Sequence, residues 1–121
     1  MILLLPSTMP PDFGHTVLTI NKTPTSYSAV ISPVPNCNGG SACTYASVDG
    51  NEGMRLDKRG RKPTRLKDGT IAWFESHQCG ANCNGSATLV FERNGTLYTV
   101  AVKAGTLPMA VTIADGLRKA R

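Results

Sequence analysis

The chain lacks the common signatures of catalysis. It has no Gly-x-Ser-x-Gly nucleophile elbow, no phosphate-binding loop and no dinucleotide fingerprint. Its acids, Asp12, Asp49, Glu52, Asp57, Asp68, Glu75, Glu92 and Asp115, include no pair that spacing singles out for acid–base work. Charge is sparse, 17% of residues against about 25% in an average domain, and aromatics are only 6%. No apolar run approaches the roughly 18 residues that span a bilayer, so no transmembrane segment is expected in this chain. With 12 Gly and 8 Pro in 121 residues, turns come too often for a coiled coil or a helical bundle. What remains is one non-catalytic domain, residues 1–121, turn-rich and β-containing, with no cofactor expected.

The charge that is present is concentrated. Arg55, Lys58, Arg59, Arg61, Lys62, Arg65 and Lys67 share thirteen residues with a single acid, Asp57, so this window holds more than the whole net charge of +5. Such a segment can meet phosphates or another polyanion. It can equally be a solvated loop or hairpin rim. Base stacking on nucleic acid needs aromatics interleaved with the cations, and none lies between Arg55 and Lys67; the nearest are Tyr45 and Trp73.

Four cysteines form an even set, Cys37-x5-Cys43 and Cys79-x3-Cys83. Both spacings are wider than the C-x2-C pairs of zinc ribbons, and both sit in turn-forming flanks rich in Asn, Gly and Ser. Two local disulfides, each clamping a loop, fit this pattern best, at roughly 2 kcal/mol for each small loop. Crossed pairing stays open. Disulfides imply an extracytoplasmic protein, periplasmic or secreted. The competing reading is a zinc-stabilised intracellular domain; His77-x-Cys79-x3-Cys83 is the one tight cluster of metal-competent residues, and an even cysteine count argues against a spare nucleophilic thiol. The turn-rich stretch 36–42 is echoed at 82–87, which reads as convergence on turn chemistry. Asn21-Lys22-Thr23, Asn84-Gly85-Ser86 and Asn94-Gly95-Thr96 match the glycosylation pattern, which matters only in a eukaryotic secretory host.

Secondary structure is most legible near the C-terminus. Asn94-Gly95 separates Ala87–Arg93 from Thr96–Lys103, which predicts a two-residue type I′ hairpin pairing Phe91 with Tyr98, Leu89 with Val100 and Ala87 with Val102. A strand over Thr70–Ser76 extends it to a meander. Trp73 and Phe74, being consecutive, point to opposite faces, one of them the core. His15–Asn21 and Tyr27–Ser32 read as a second strand pair and Met1–Leu5 as the first strand. Weaker strands are expected at Cys43–Val48 and Met54–Leu56 around an Asp49-Gly50 turn, and Arg59–Pro63 reads as a turn. One helix is expected over Thr106–Lys119, with Thr106 as N-cap, Pro108 in the first turn, Ala110, Ile113, Ala114 and Leu117 on the packed face, and basic residues at its C-terminal end.

The opening Leu4-Leu5-Pro6-Ser7-Thr8-Met9-Pro10-Pro11-Asp12-Phe13-Gly14 resembles the Pro-x-x-x-Pro-x-Gly-aromatic start of certain bacterial extracytoplasmic domains. These occur in lipoproteins and as the outer part of membrane-tethered anti-sigma regulators, many of them domains of unknown function. Ile71-Ala72-Trp73-Phe74, Gly95-Thr96-Leu97-Tyr98-Thr99-Val100 and Ile113-Ala114-Asp115-Gly116-Leu117 are similar to the ends of those domains. The order of Phe13 and Gly14, the cysteine loops and the basic segment depart from the pattern. The resemblance implies an exported α+β domain with a curved antiparallel sheet and a C-terminal helix, and brings no catalytic residues.

The sequence therefore predicts an α+β domain: a mainly antiparallel sheet, one C-terminal helix packed on it, and two disulfide-clamped loops. Its expected role is binding or sensing, with an envelope protein or a small ligand as partner. The alternative is a polyanion or nucleic-acid binder working through Arg55–Lys67.

Overall fold

Residues that alternate apolar and polar with period two form strands in the computed structural model, which describes residues 1–35, 43–76 and 85–120. The strands are β1 (Leu4–Pro6), β2 (Val17–Lys22), β3 (Ser26–Ser32), β4 (Ala46–Glu52), β5 (Lys62–Arg65), β6 (Ile71–Glu75), β7 (Ser86–Arg93), β8 (Thr96–Lys103) and β9 (Leu117–Lys119). One α-helix, α1 (Leu107–Asp115), follows β8. β2 to β8 make a seven-stranded antiparallel sheet in the order β2-β3-β4-β8-β7-β6-β5, and β1 pairs with β9 in a separate two-stranded ribbon. The large sheet is two meanders, β2-β3-β4 and β5-β6-β7-β8, joined where β4 lies beside β8.

The hairpin β7–β8 has the register read from its sequence: Phe91 faces Tyr98, Leu89 faces Val100 and Ala87 faces Val102. Asn94 and Gly95 carry φ of 53° and 78°, the two positive values that a type I′ turn demands. Ala87, Leu89, Phe91, Tyr98, Val100 and Val102 share one face with Ala46 and Val48 of β4 and with Tyr27, Ala29 and Ile31 of β3. Ala110 and Ile113 of α1 pack into this face, and the hydrophobic cluster runs from Leu4 to Leu117. Phe74 joins it from β6, so Phe74 is the inward member of the Trp73-Phe74 pair.

Four local expectations are corrected. Asp49-Gly50 is not a turn: β4 runs straight through it, because Gly50 stands between Tyr27 and Tyr98 in neighbouring strands and leaves room for the Tyr27 ring. Met54–Leu56, whose sequence predicts a strand, is instead part of an irregular crossing. Lys62–Arg65, partly assigned to a turn, is the edge strand β5, a place where Pro63 costs no ladder bond. The helix stops at Asp115, not Lys119. Gly116 ends it, the Thr106 side chain makes no capping bond, and Leu117–Lys119 pair with β1. Thr8 lies against Gly116, where an added Cβ would be 2.9 Å from it, and the Ser7 N–H donates to the Gly116 carbonyl. Long-range contacts with the N-terminal segment thus redirect a stretch whose local pattern is helical.

Two tyrosines fasten the N-terminal segment, at Leu4 of β1 and at Ile2 before it, across the covered face. The Tyr27 hydroxyl donates to the Leu4 carbonyl at 2.7 Å and accepts from the Leu4 N–H at 3.1 Å. The Tyr98 hydroxyl donates to the Ile2 carbonyl at 2.5 Å.

Candidate binding surface

With the helix and β1 on one face, the other face of the sheet presents the alternate residue of every strand. Pro63, Trp73, Val90, Thr99, Asp49, Ser28 and Asn21 stand directly opposite one another in a single row across all seven strands. A parallel row holds Glu75, Thr88, Ala101, Ser47, Val30 and Thr19. Toward β2, β3 and β4 this face carries mainly short polar side chains, Asn21, Thr19, Ser28, Ser47, Asp49 and Asn51, with Val17 and Val30 among them, whereas Val90, Leu97 and Ala101 make it more apolar over β7 and β8.

The crossing between β4 and β5 runs over half of this face. The Gly53 N–H donates to the Gly95 carbonyl at 3.1 Å and the Leu56 N–H to the Glu92 carboxylate at 2.7 Å. The Lys58 ammonium then sits 4.8 Å from the Trp73 ring centroid. Arg61 donates to the Thr88 hydroxyl at 2.9 Å and its carbonyl at 3.3 Å. Val90 and Leu97, on the same side, are only 6% and 8% exposed.

The remaining half, over β2, β3, β4 and β8, is partly exposed among the described residues: Asn21 is exposed, Ser28, Ser47, Asp49 and Thr99 are half-buried, and Val30 is buried. A shallow trough of about 400 Å³ lies there, lined among others by Asn21, Ser26, Ser28, Asp49, Asn51 and Thr99. Asp49 supplies a carboxylate acceptor and the others supply amide and hydroxyl groups that both donate and accept. The Ser47 hydroxyl points to Asp49 at 3.4 Å. The trough suits recognition by many modest hydrogen bonds on a rigid floor.

The seven basic residues singled out in the sequence do not come together on one surface. Lys62 stands opposite Phe74 and faces the helix side, whereas Arg65 stands opposite Ile71 and faces the open side. Arg61 is half-buried against Thr88. Arg59 is exposed and pairs with Asp57 at 2.7 Å; these hydrogen bonds lower the Asp57 carboxyl to about 2 and raise Arg59. Lys67 lies beyond β5, where its backbone N–H donates to the Asp115 carboxylate at 2.9 Å. Arg55, Lys58 and Arg65 are the exposed cations of this window on or near the open side. Charge that is dense in sequence is therefore divided between two faces, as adjacent residues of a strand must be.

Of the cysteines, Cys43 alone is among the described residues, and it is not a free thiol. Cys37, Cys79, Cys83 and His77 lie outside them, and so do the stretch 36–42 and residues 82–84 of its echo, so the expected disulfide clamps fall outside the described residues. His15 is exposed. Among the described residues no three His, Cys, Asp or Glu side chains are grouped to hold a metal, and no helix is long and apolar enough to cross a membrane.

No family model, curated protein or solved structure matches the chain.

The trough residues were missed in sequence because Asp49-Gly50 imitates a turn. A signal does exist: Ser26 and Ser28 alternate with Tyr27 and Ala29, and Ser47, Asp49 and Asn51 alternate with Ala46, Val48 and Gly50. Small polar residues alternating over two neighbouring strands mark the more polar face of a sheet, although Val30 interrupts the pattern on β3.

Proposed function

We propose that this chain is a non-catalytic binding domain of a bacterial envelope or secreted protein, and that the open half of its sheet face is the ligand surface. The observation that carries this reading is the cross-strand row: Asn21, Ser28, Asp49 and Thr99 stand in register on four adjacent strands and line one trough. Hydrogen-bonding side chains fixed this way lose little freedom on binding, which favours recognition of a polar ligand. The extracytoplasmic setting rests on the cysteines: two disulfides suit the even set, and Cys43 is not a free thiol. The likeness of the opening and closing motifs to exported domains points the same way.

The polyanion reading keeps one supporting observation, the exposed cations Arg55, Lys58 and Arg65, of which Lys58 lies over Trp73 and Arg65 stands opposite Ile71. It predicts affinity that collapses with salt and is lost when Arg55 and Arg65 become Ser.

Trp73 is the only tryptophan and stands in the same row as the trough, so its emission is the readout. Neutral oligosaccharides, short peptides and a heparin fragment are titrated in turn against the oxidised protein. A salt-tolerant response abolished by Ser28→Arg and kept in Arg55→Ser/Arg65→Ser supports the leading proposal. A response to heparin alone, lost in the Arg55→Ser/Arg65→Ser variant, overturns it in favour of polyanion binding. Intact mass after alkylation tests the setting: a chain four hydrogens lighter than its reduced form supports export, and four alkylatable thiols refute it.

A further inference from the structure

The two edges of the seven-stranded sheet are built differently. β5 is short and guarded: it reads Lys62-Pro63-Thr64-Arg65, and Pro63 together with the two cations discourages another strand from pairing there. β2 has no such guard. It is six residues long, contains no proline, carries its one charge at its end in Lys22, and leaves Leu18 and Ile20 36% and 42% exposed on the face where the core lies.

The backbone of β2 is aimed outward at the same positions. The Thr23 N–H donates to the Ser26 carbonyl, so by antiparallel alternation the odd-numbered residues turn their main-chain groups toward β3. Leu18, Ile20 and Lys22 then turn theirs to the free edge, and no backbone partner is seen for them there among the described residues.

We propose that β2 is a dimerisation edge, joining two copies of this chain antiparallel into one continuous sheet. What selects a second copy is the self-complementarity of the strand. A two-fold axis through Thr19 sets Leu18 of each copy opposite Ile20 of the other, as a pair exchanging both main-chain bonds. The Thr19 residues then meet as the closer, non-hydrogen-bonded pair, an arrangement favourable for threonine. The half-exposed Leu18 and Ile20 of both copies form one apolar cluster on the helix side. Lys22 falls opposite Thr16 and away from its own image. Moving the axis to Ile20 would put Leu18 against Lys22, and moving it to Leu18 would put Ile20 against Thr16, so the pattern favours one register. The contact buries less than the ~1,000 Å² of a stable interface, so the dimer is reversible and concentration-dependent. It leaves the trough residues Ser28, Asp49 and Thr99 uncovered and holds whether or not the trough binds the proposed ligand.

Sedimentation velocity from about 10 μM to about 1 mM protein tests this, a range that brackets the affinity of so small a contact. The expected result is a weight-average mass rising toward twice that of the chain. Leu18→Lys/Ile20→Lys, which copies the guard of β5 at exposed positions, should weaken association at least tenfold while leaving the circular dichroism spectrum and melting temperature close to those of the parent. Under mild oxidation Thr19→Cys should give a dimer linked through position 19, identified by non-reducing peptide mapping, and Ile20→Cys should link far less. A monomer at every concentration overturns the proposal. So does a dimer that the double lysine variant leaves intact, or one that links through position 20 as readily as through 19.

Discussion

Gly50→Ala probes the packing that lets β4 run unbroken across the sheet. Its Cβ would lie 2.3 Å from Cε1 and 2.8 Å from Cδ1 of Tyr27. Ordinary contact begins near 3.4 Å, so the ring must move by about 1 Å, and it has nowhere free to go. Its hydroxyl is bonded to both the N–H and the carbonyl of Leu4, and its edge meets the Tyr98 ring at 6.4 Å between centroids. Overpacking costs about 1–3 kcal/mol and the two hydrogen bonds about 1 kcal/mol each. Alanine returns about 0.4–1 kcal/mol through the unfolded chain. The net loss is about 2–4 kcal/mol, a fall in melting temperature on the order of 10 °C for a domain of this size. The discriminating measurement is a double-mutant cycle by urea denaturation. Tyr27→Ala alone should cost about 3–5 kcal/mol, but with the ring gone the Gly50→Ala change should be almost free, giving a coupling of about 2–3 kcal/mol. Additivity within about 0.5 kcal/mol would refute the steric account.

Three further outcomes follow from the same contacts. Burial pushes the Tyr27 hydroxyl up to about 12, with the Leu4 contact opposing; a raised folded value means stability is full below the ordinary value near 10 and is lost as pH climbs from there toward 12, so Tyr27→Phe should flatten the alkaline limb of a pH–melting curve. The Asp68 carboxyl is lowered, first by the Thr70 N–H and hydroxyl and then by Arg93; its stabilising share is present above about 4 and disappears as pH falls through the folded value, so Asp68→Asn should lower the melting temperature at neutral pH and not in strong acid, by at most about 1 kcal/mol for so exposed a group. Ala104 holds a φ of 48°, a left-handed geometry that favours glycine, so Ala104→Gly should stabilise by about 0.5–1 kcal/mol in the same denaturation assay.

How much was legible depended on whether the local and the long-range signals agreed. At Asn94-Gly95 they agreed: the turn residues fixed the loop length, the loop length fixed the register, and the apolar face matched on both strands. At Asp49-Gly50 they conflicted. That dipeptide is strong turn chemistry in isolation, and the reason for the glycine lies 23 residues upstream in the ring of Tyr27. The end of the helix failed in the same way. Leu117 continues the helical spacing, but Gly116 weakens the helix at that point, and the contacts of Ser7 and Thr8 with it turn the chain into a strand beside β1.

The basic window shows why a run of charge is a poor guide to a site. Read along the sequence, it is one cationic surface. Folded, Lys58 covers Trp73, Arg61 binds Thr88, Arg59 answers Asp57, and Lys62 and Arg65 leave an edge strand in opposite directions. The first two hold the crossing on the sheet, and the last two with Pro63 keep the β5 edge from pairing. Much of the basic pI thus follows from closing one half and one edge of the sheet. Among the described residues the trough over β2, β3, β4 and β8 and the edge of β2 are left open, and there the side chains are short, neutral or apolar, with Asp49 and Lys22 as the charges. Binding at those places should therefore be insensitive to salt, the opposite of what the net charge of +5 suggests.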